Sequence, residues 1–130
     1  MADDMIPDEV KQFIVENIDS VAHLEGLLLF RGSPEAEWGV EEVAKQLYID
    51  QGQTARILTR LHDLGFLAVK EGRSPSYRYA PESSDLRQRV ESVAHTYAKY
   101  LVPVTNLIHS KPQTRVQEFA DAFKLTRKKM

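Results

Sequence analysis

Residues 40–80 read VEEVAKQLYIDQGQTARILTRLHDLGFLAVKEGRSPSYRYA. The middle of this stretch decides the fold. Ala55, Leu58, Leu61 and Leu64 recur as one stripe with Ile57 at its flank, which predicts an amphipathic helix over 51–64. Gly65 follows at once, where a left-handed residue closes a helix. Upstream, Val40, Val43, Ala44 and Leu47 face inward in a shorter helix. Gly39 is an acceptable cap for it, and Glu41 and Glu42 sit in its first turn, where the helix dipole favours anions. Tyr48 to Gly52 is a compact turn between the two. Downstream, Phe66 to Lys70 (FLAVK) is an apolar strand and Glu71 to Pro75 is turn-rich. Ser76 to Ala80 then sets Tyr77 and Tyr79 on one face and Arg78 on the other. The pair makes a small hairpin whose loop exceeds a two-residue turn, so its tip is expected to be mobile.

Working outward, Pro7 suits a first helical position. Val10, Phe13, Ile14 and Ile18 then form one helical stripe. Asp19 or Ser20 caps a second helix, buried through Val21, Leu24, Leu27 and Leu28 with Phe30 near its end, and Gly32-Ser33-Pro34 stops it. On the far side, Ser84 or Asp85 is the expected cap of a long helix. Its stripe is Leu86, Val90, Val93, Tyr97, Tyr100, Val104 and Leu107, with heptad-like steps of four and three. Pro103 should kink or interrupt it. Val116, Phe119, Ala120 and Phe123 suggest a last short helix, followed by a basic end.

The order helix, helix, tight turn, helix, glycine, hairpin is that of a winged helix-turn-helix domain. Val40 to Ala80 resembles bacterial winged-helix transcription regulators of the MarR and PadR type, and TARILTRLHDLGFL is its most family-like piece. The expected fold is mostly α with a small antiparallel β-hairpin: a winged helix-turn-helix over 1–82 and a C-terminal helical segment for dimerisation or packing over 83–130. The expected function is sequence-specific binding of double-stranded DNA by a transcriptional regulator, with helix 51–64 in the major groove and a basic wing at 66–80. Winged helices also serve as protein-interaction modules, so docking of a protein partner without DNA binding is the alternative.

The N-terminal turns of such a helix enter the groove. Gln pairs with adenine edges, Arg with guanine, and Thr with bases or phosphate, so Gln51, Gln53, Thr54 and Arg56 are the candidate base readers. Arg60, further along, suits a phosphate or an internal salt bridge. In the wing, Lys70, Arg73 and Arg78 suit phosphates or the minor groove. By resemblance to the PadR type, the C-terminal helix is the dimer element. Leu86, Val90, Val93, Tyr97, Tyr100, Val104 and Leu107 are then the expected interface of a homodimer, placing two recognition helices about one DNA turn apart. The alternative is that Tyr97, Tyr100 and Leu101 cover the monomer's own core.

Charge supports the DNA reading. The net charge of the 130 residues is −2, but it is unevenly spread. Up to Asp50 the chain is rich in Asp and Glu, opposed only by Lys11, Arg31 and Lys45. From Gln51 to Ala80, Arg56, Arg60, Lys70, Arg73 and Arg78 face only Asp63 and Glu71. Such asymmetry suits a region that meets a polyanion.

Other chemistry is discounted. With no cysteine, disulfides and thiolate metal sites are excluded. Glu91 and His95 lie one helical turn apart, a spacing commoner in surface ion pairs than in metal sites. No glycine-rich phosphate loop or local nucleophile signature is present, so no enzyme, metal or cofactor is expected. The start, MADDMIPDEV, lacks the features of a secretory signal, and the longest apolar run, Leu27 to Phe30, is too short to span a bilayer. A cytoplasmic protein without membrane contact is the expectation.

Overall fold

The computed structural model describes residues 5–110. The expected helix around Val116 to Phe123 and the basic end lie outside those residues. Helix α1 (Asp8–Asn17) buries Val10, Phe13 and Ile14, and Pro7 stands just ahead of it as the cap residue. Helix α2 (Val21–Gly32) is capped by Ser20, whose Oγ accepts from the His23 backbone N–H at 3.0 Å. Its inward side is His23, Leu24, Gly26, Leu27 and Phe30.

A short strand, β1 (Trp38–Gly39), precedes helix α3 (Val40–Leu47). The Glu42 carboxylate accepts from the Gly39 N–H at 3.3 Å, which satisfies a donor at a helix end whose cap residue has no side chain. Helix α4 (Gln51–Asp63) ends at Gly65, where φ is +90°. The positive φ is what favours glycine here; a Cβ would lie 2.7 Å from Glu82 Cδ, but that is the far end of an exposed side chain that can swing away. At Gly26 the reason is packing: a Cβ would come within 3.3 Å of Ile57 Cγ2, which marks the close approach of α4 to α2.

Strands β2 (Leu67–Lys70) and β3 (Ser76–Tyr79) form the expected hairpin, with Leu67 opposite Tyr79 and Lys70 opposite Ser76. Strand β1 adds to the other edge of β3, pairing Trp38 with Tyr77, so the sheet has three strands in the order β1-β3-β2. Two residues of strand carry no alternation, which is why Trp38–Gly39 was not distinguishable from a loop by pattern. Leu67, Tyr77 and Tyr79 turn inward, while Lys70 and Arg78 are exposed.

Helix α5 (Ser84–Lys99) is capped by Ser83, whose Oγ accepts from Leu86 N–H at 3.0 Å, one residue ahead of the expected Ser84 or Asp85. The helix breaks at Tyr100 (φ −128°, ψ 55°), and a further helix, α6, runs over 101–110. Pro103 explains the position of the break. The N–H it lacks would have bonded the carbonyl of Lys99, the last residue of α5. In α6 the proline falls in the first turn, where no intrahelical partner is needed.

One buried cluster joins the parts. It contains Phe13, Phe30, Leu58, Leu61 and Phe66 from the first 82 residues and Val90, Val93, Tyr97, Val104 and Ile108 beyond them. Phe13 and Phe66 meet at 5.7 Å between ring centres, tilted by 60°. This corrects the expected dimer seam: Val90, Val93, Tyr97 and Val104 are buried against their own chain. Leu86, Tyr100 and Leu107 are half-buried. The seam was a true apolar stripe, and α1 supplies its partner.

Two polar ties fasten α5 to α2. Arg31 donates twice to Glu91, from Nε at 2.7 Å and from Nη2 at 2.8 Å. Tyr97 donates its hydroxyl to Glu25 Oε1 at 2.7 Å. Burial and the Glu25 carboxylate push the Tyr97 hydroxyl up to about 12.

Candidate nucleic-acid interface

Helix α4 begins in a tight turn. The Asp50 carboxylate caps it, accepting from Gln53 N–H at 2.7 Å. Two residues earlier, Tyr48 closes α3 with φ 56° and ψ 43°, a left-handed conformation. Among the described residues it is the one non-glycine residue with positive φ. A side chain in that region costs on the order of 1 kcal/mol relative to glycine.

The buried side of α4 is Thr54, Ile57, Leu58 and Leu61, the i, i+3, i+4, i+7 set of a single face. This corrects two expectations. Thr54 has no exposed surface, so it cannot read a base in this fold. Its hydroxyl donates to the Asp50 backbone carbonyl at 2.8 Å, which satisfies it locally and lets the rest of the side chain pack as an apolar one. Ile57 is likewise buried, whereas Ala55 is only half-buried.

The opposite side carries Gln51, Gly52, Arg56 and Thr59, all exposed, with Gln53 half-buried beside them. Gly52 leaves the first turn bare: a Cβ there would meet Asp50 Oδ1 at 3.1 Å and Arg56 Nη1 at 3.9 Å. The Arg56 guanidinium therefore leans back toward the start of the helix. Arg60 is tied down instead, with Nε 3.3 Å from Asp19 Oδ2. A cleft of about 290 Å³ separates this side of α4 from the start of α2, with Ser20, Gln53, Arg56 and Arg60 on its walls.

In the hairpin, Lys70, Arg73 and Arg78 are all exposed. Neither they nor Arg56 form an ion pair among the described residues. The register puts Arg78 across from Ala68 and Lys70 across from Ser76, so the two cations are diagonal on the outer face of the hairpin, with Glu37 beside them. A wider groove of about 610 Å³ lies beside it, where Arg78 and Arg87 face Glu35 and Glu37. Among the described residues no group of three or more His, Asp or Glu side chains is placed to hold a metal ion, and no helix is long and apolar enough to cross a membrane.

Helices α3 and α4 joined by a tight turn, followed by an antiparallel hairpin and flanked by α1, α2, α5 and α6, define a winged-helix fold. Solved structures agree. One is BpsR of Bordetella bronchiseptica, described for the regulation of its DNA binding by 6-hydroxynicotinic acid. It matches with 21% identity over 95% of this chain and 81% of its own, at a TM-score of 0.54. A MepR mutant of S. aureus, solved bound to an oligodeoxyribonucleotide, matches with 11% identity over 93% and 87%, at 0.55. A MarR family protein of Bacillus stearothermophilus matches with 14% identity over 93% and 81%, at 0.51. No family model and no curated protein matches the sequence. At these identities the likeness is one of fold: a mostly α winged helix of the kind found in transcriptional regulators.

Proposed function

We propose that the chain is a cytoplasmic, sequence-specific DNA-binding transcriptional regulator, with α4 in the major groove and the hairpin as a wing on the backbone. The observation that carries this is the outward side of α4. It holds Gln51 and Arg56 exposed, Arg56 free of ion pairing among the described residues, and no carboxylate beyond the capping Asp50 in its first two turns. A long cation with no ion-pair partner among the described residues, on an exposed helix face beside Gln residues, suits base-edge recognition. The solved complex of the similar MepR mutant with an oligodeoxyribonucleotide supports the same reading. Gln51, Gln53 and Arg56 are the base readers of this proposal. Lys70, Arg73 and Arg78 hold phosphates and fix the register. Arg60 serves the fold through Asp19.

The regulator acts as a homodimer in this reading, through a surface other than the buried α5 stripe. Leu101 and Val102, 54% and 63% exposed at the start of α6, offer a second copy an apolar contact.

The test is binding of the full chain to a duplex selected from a random pool, followed across salt. The three phosphate-facing cations per chain, Lys70, Arg73 and Arg78, would give a log–log slope of roughly −3. Arg56→Ala should lower affinity about tenfold with an unchanged melting temperature. Absence of any duplex binding at low salt would sink the proposal and favour protein docking by the same fold.

A further inference from the structure

Tyr48 combines two features that rarely occur together. It is 94% exposed, so its ring contributes almost nothing to packing. It also holds a left-handed backbone that glycine would adopt without strain. A turn selected for stability alone would place glycine there. The position of the residue says what the ring is for. Tyr48 lies three residues before Gln51, so its backbone is at most about 11 Å from the first residue of α4. The major groove is about 12 Å wide, so a side chain exposed that close to the start of α4 is within reach of the sugar-phosphate strand that borders the groove. The flanking Gln46 is exposed and polar, and the carboxylate of Asp50 is taken up in capping α4.

Resting on the DNA-binding reading above, we propose that Tyr48 is a further DNA-contacting residue, donating its hydroxyl to a backbone phosphate at the groove edge with its ring against the adjoining sugar. Tyr hydroxyls serve phosphates in this way. The contact is uncharged, so it displaces no counterion and has a distinct signature: affinity falls while the salt slope stays the same.

The experiment compares wild type, Tyr48→Phe, Tyr48→Gly and Tyr48→Asn on the selected duplex and on a scrambled one, with melting temperatures in parallel. Tyr48→Gly is expected to melt no lower than wild type, and up to about 4 °C higher. It should bind about tenfold more weakly on both duplexes, with an unchanged salt slope. Tyr48→Phe, which loses only the hydroxyl, should bind about threefold more weakly. Asn tolerates the left-handed region and guards against a folding defect in the glycine variant. A folded Gly or Asn variant that binds within twofold of wild type overturns the proposal, as does a loss confined to one duplex. Failure of wild type to bind either duplex is a separate result: it removes the DNA-binding reading itself.

Discussion

Helices α4 and α5 are both amphipathic and both carry arginines, yet they spend them differently. On α5 the charges are turned to internal use. Glu91 is held by Arg31, Arg89 lies 3.9 Å from Glu16, and the guanidinium groups of Arg87 and Arg89 sit over the rings of Tyr79 and Phe13. On α4, among the described residues, Arg60 is tied and Arg56 one turn earlier makes no ion pair. The difference teaches that a basic helix is not by itself a nucleic-acid helix. What matters is whether the cations have already been satisfied by the fold.

The sharpest way to break the comparison is to charge the α5 stripe. Val93→Asp places a carboxylate in the sealed core and should cost more than about 4 kcal/mol, abolishing the cooperative thermal transition. A folded monomer with an unchanged melting temperature would instead mean that the stripe faces a second copy. Next comes the junction that leads from α4 into β2. Gly65→Ala meets a positive φ, with the Glu82 side chain free to swing aside, and should cost about 1–2 kcal/mol by denaturant titration.

Tyr97→Phe removes one tie between α5 and α2 and should cost about 1 kcal/mol near neutral pH. Its pH dependence follows from the raised hydroxyl. The folded protein holds that proton more tightly than the unfolded chain, so the stabilisation is complete below about pH 10. It is lost as pH climbs toward 12. Melting curves across that range should fall steeply for wild type and less steeply for the variant. The smallest effect is expected for Thr54→Val, below about 1 kcal/mol, because the Asp50 carbonyl still accepts from the residue 54 N–H. DNA affinity should not change with it, in contrast to Arg56→Ala. A tenfold loss of affinity in Thr54→Val would return Thr54 to the reading face.

Much of this was legible in the sequence. The stripe ending at Gly65, the tight turn before Gln51 and the alternation of Tyr77, Arg78 and Tyr79 each express a local rule, and each element formed where the rule placed it. The readings that moved depended on contacts that residue type and periodicity do not report. Thr54 looked polar because its type is polar. Only the carbonyl four residues back turns it into a core residue. Val90 and Val93 looked like half of a dimer because periodicity reports that a face is buried, not what buries it; α1, some 80 residues earlier, does so. Strand β1 is too short to show a pattern and exists only because β3 had a free edge. Arg60 is open to either role in the sequence, and only the fold shows that Asp19 lies 3.3 Å from it as a salt-bridge partner.

The two ties on α5 have a geometric consequence. Their anchor points are six residues apart on both helices and run in opposite senses, Glu25 with Tyr97 and Arg31 with Glu91. Six helical residues span about 9 Å. One fastening would let α5 pivot like a hand on a dial. Two, set that far apart, restrain its pitch and its angle at once.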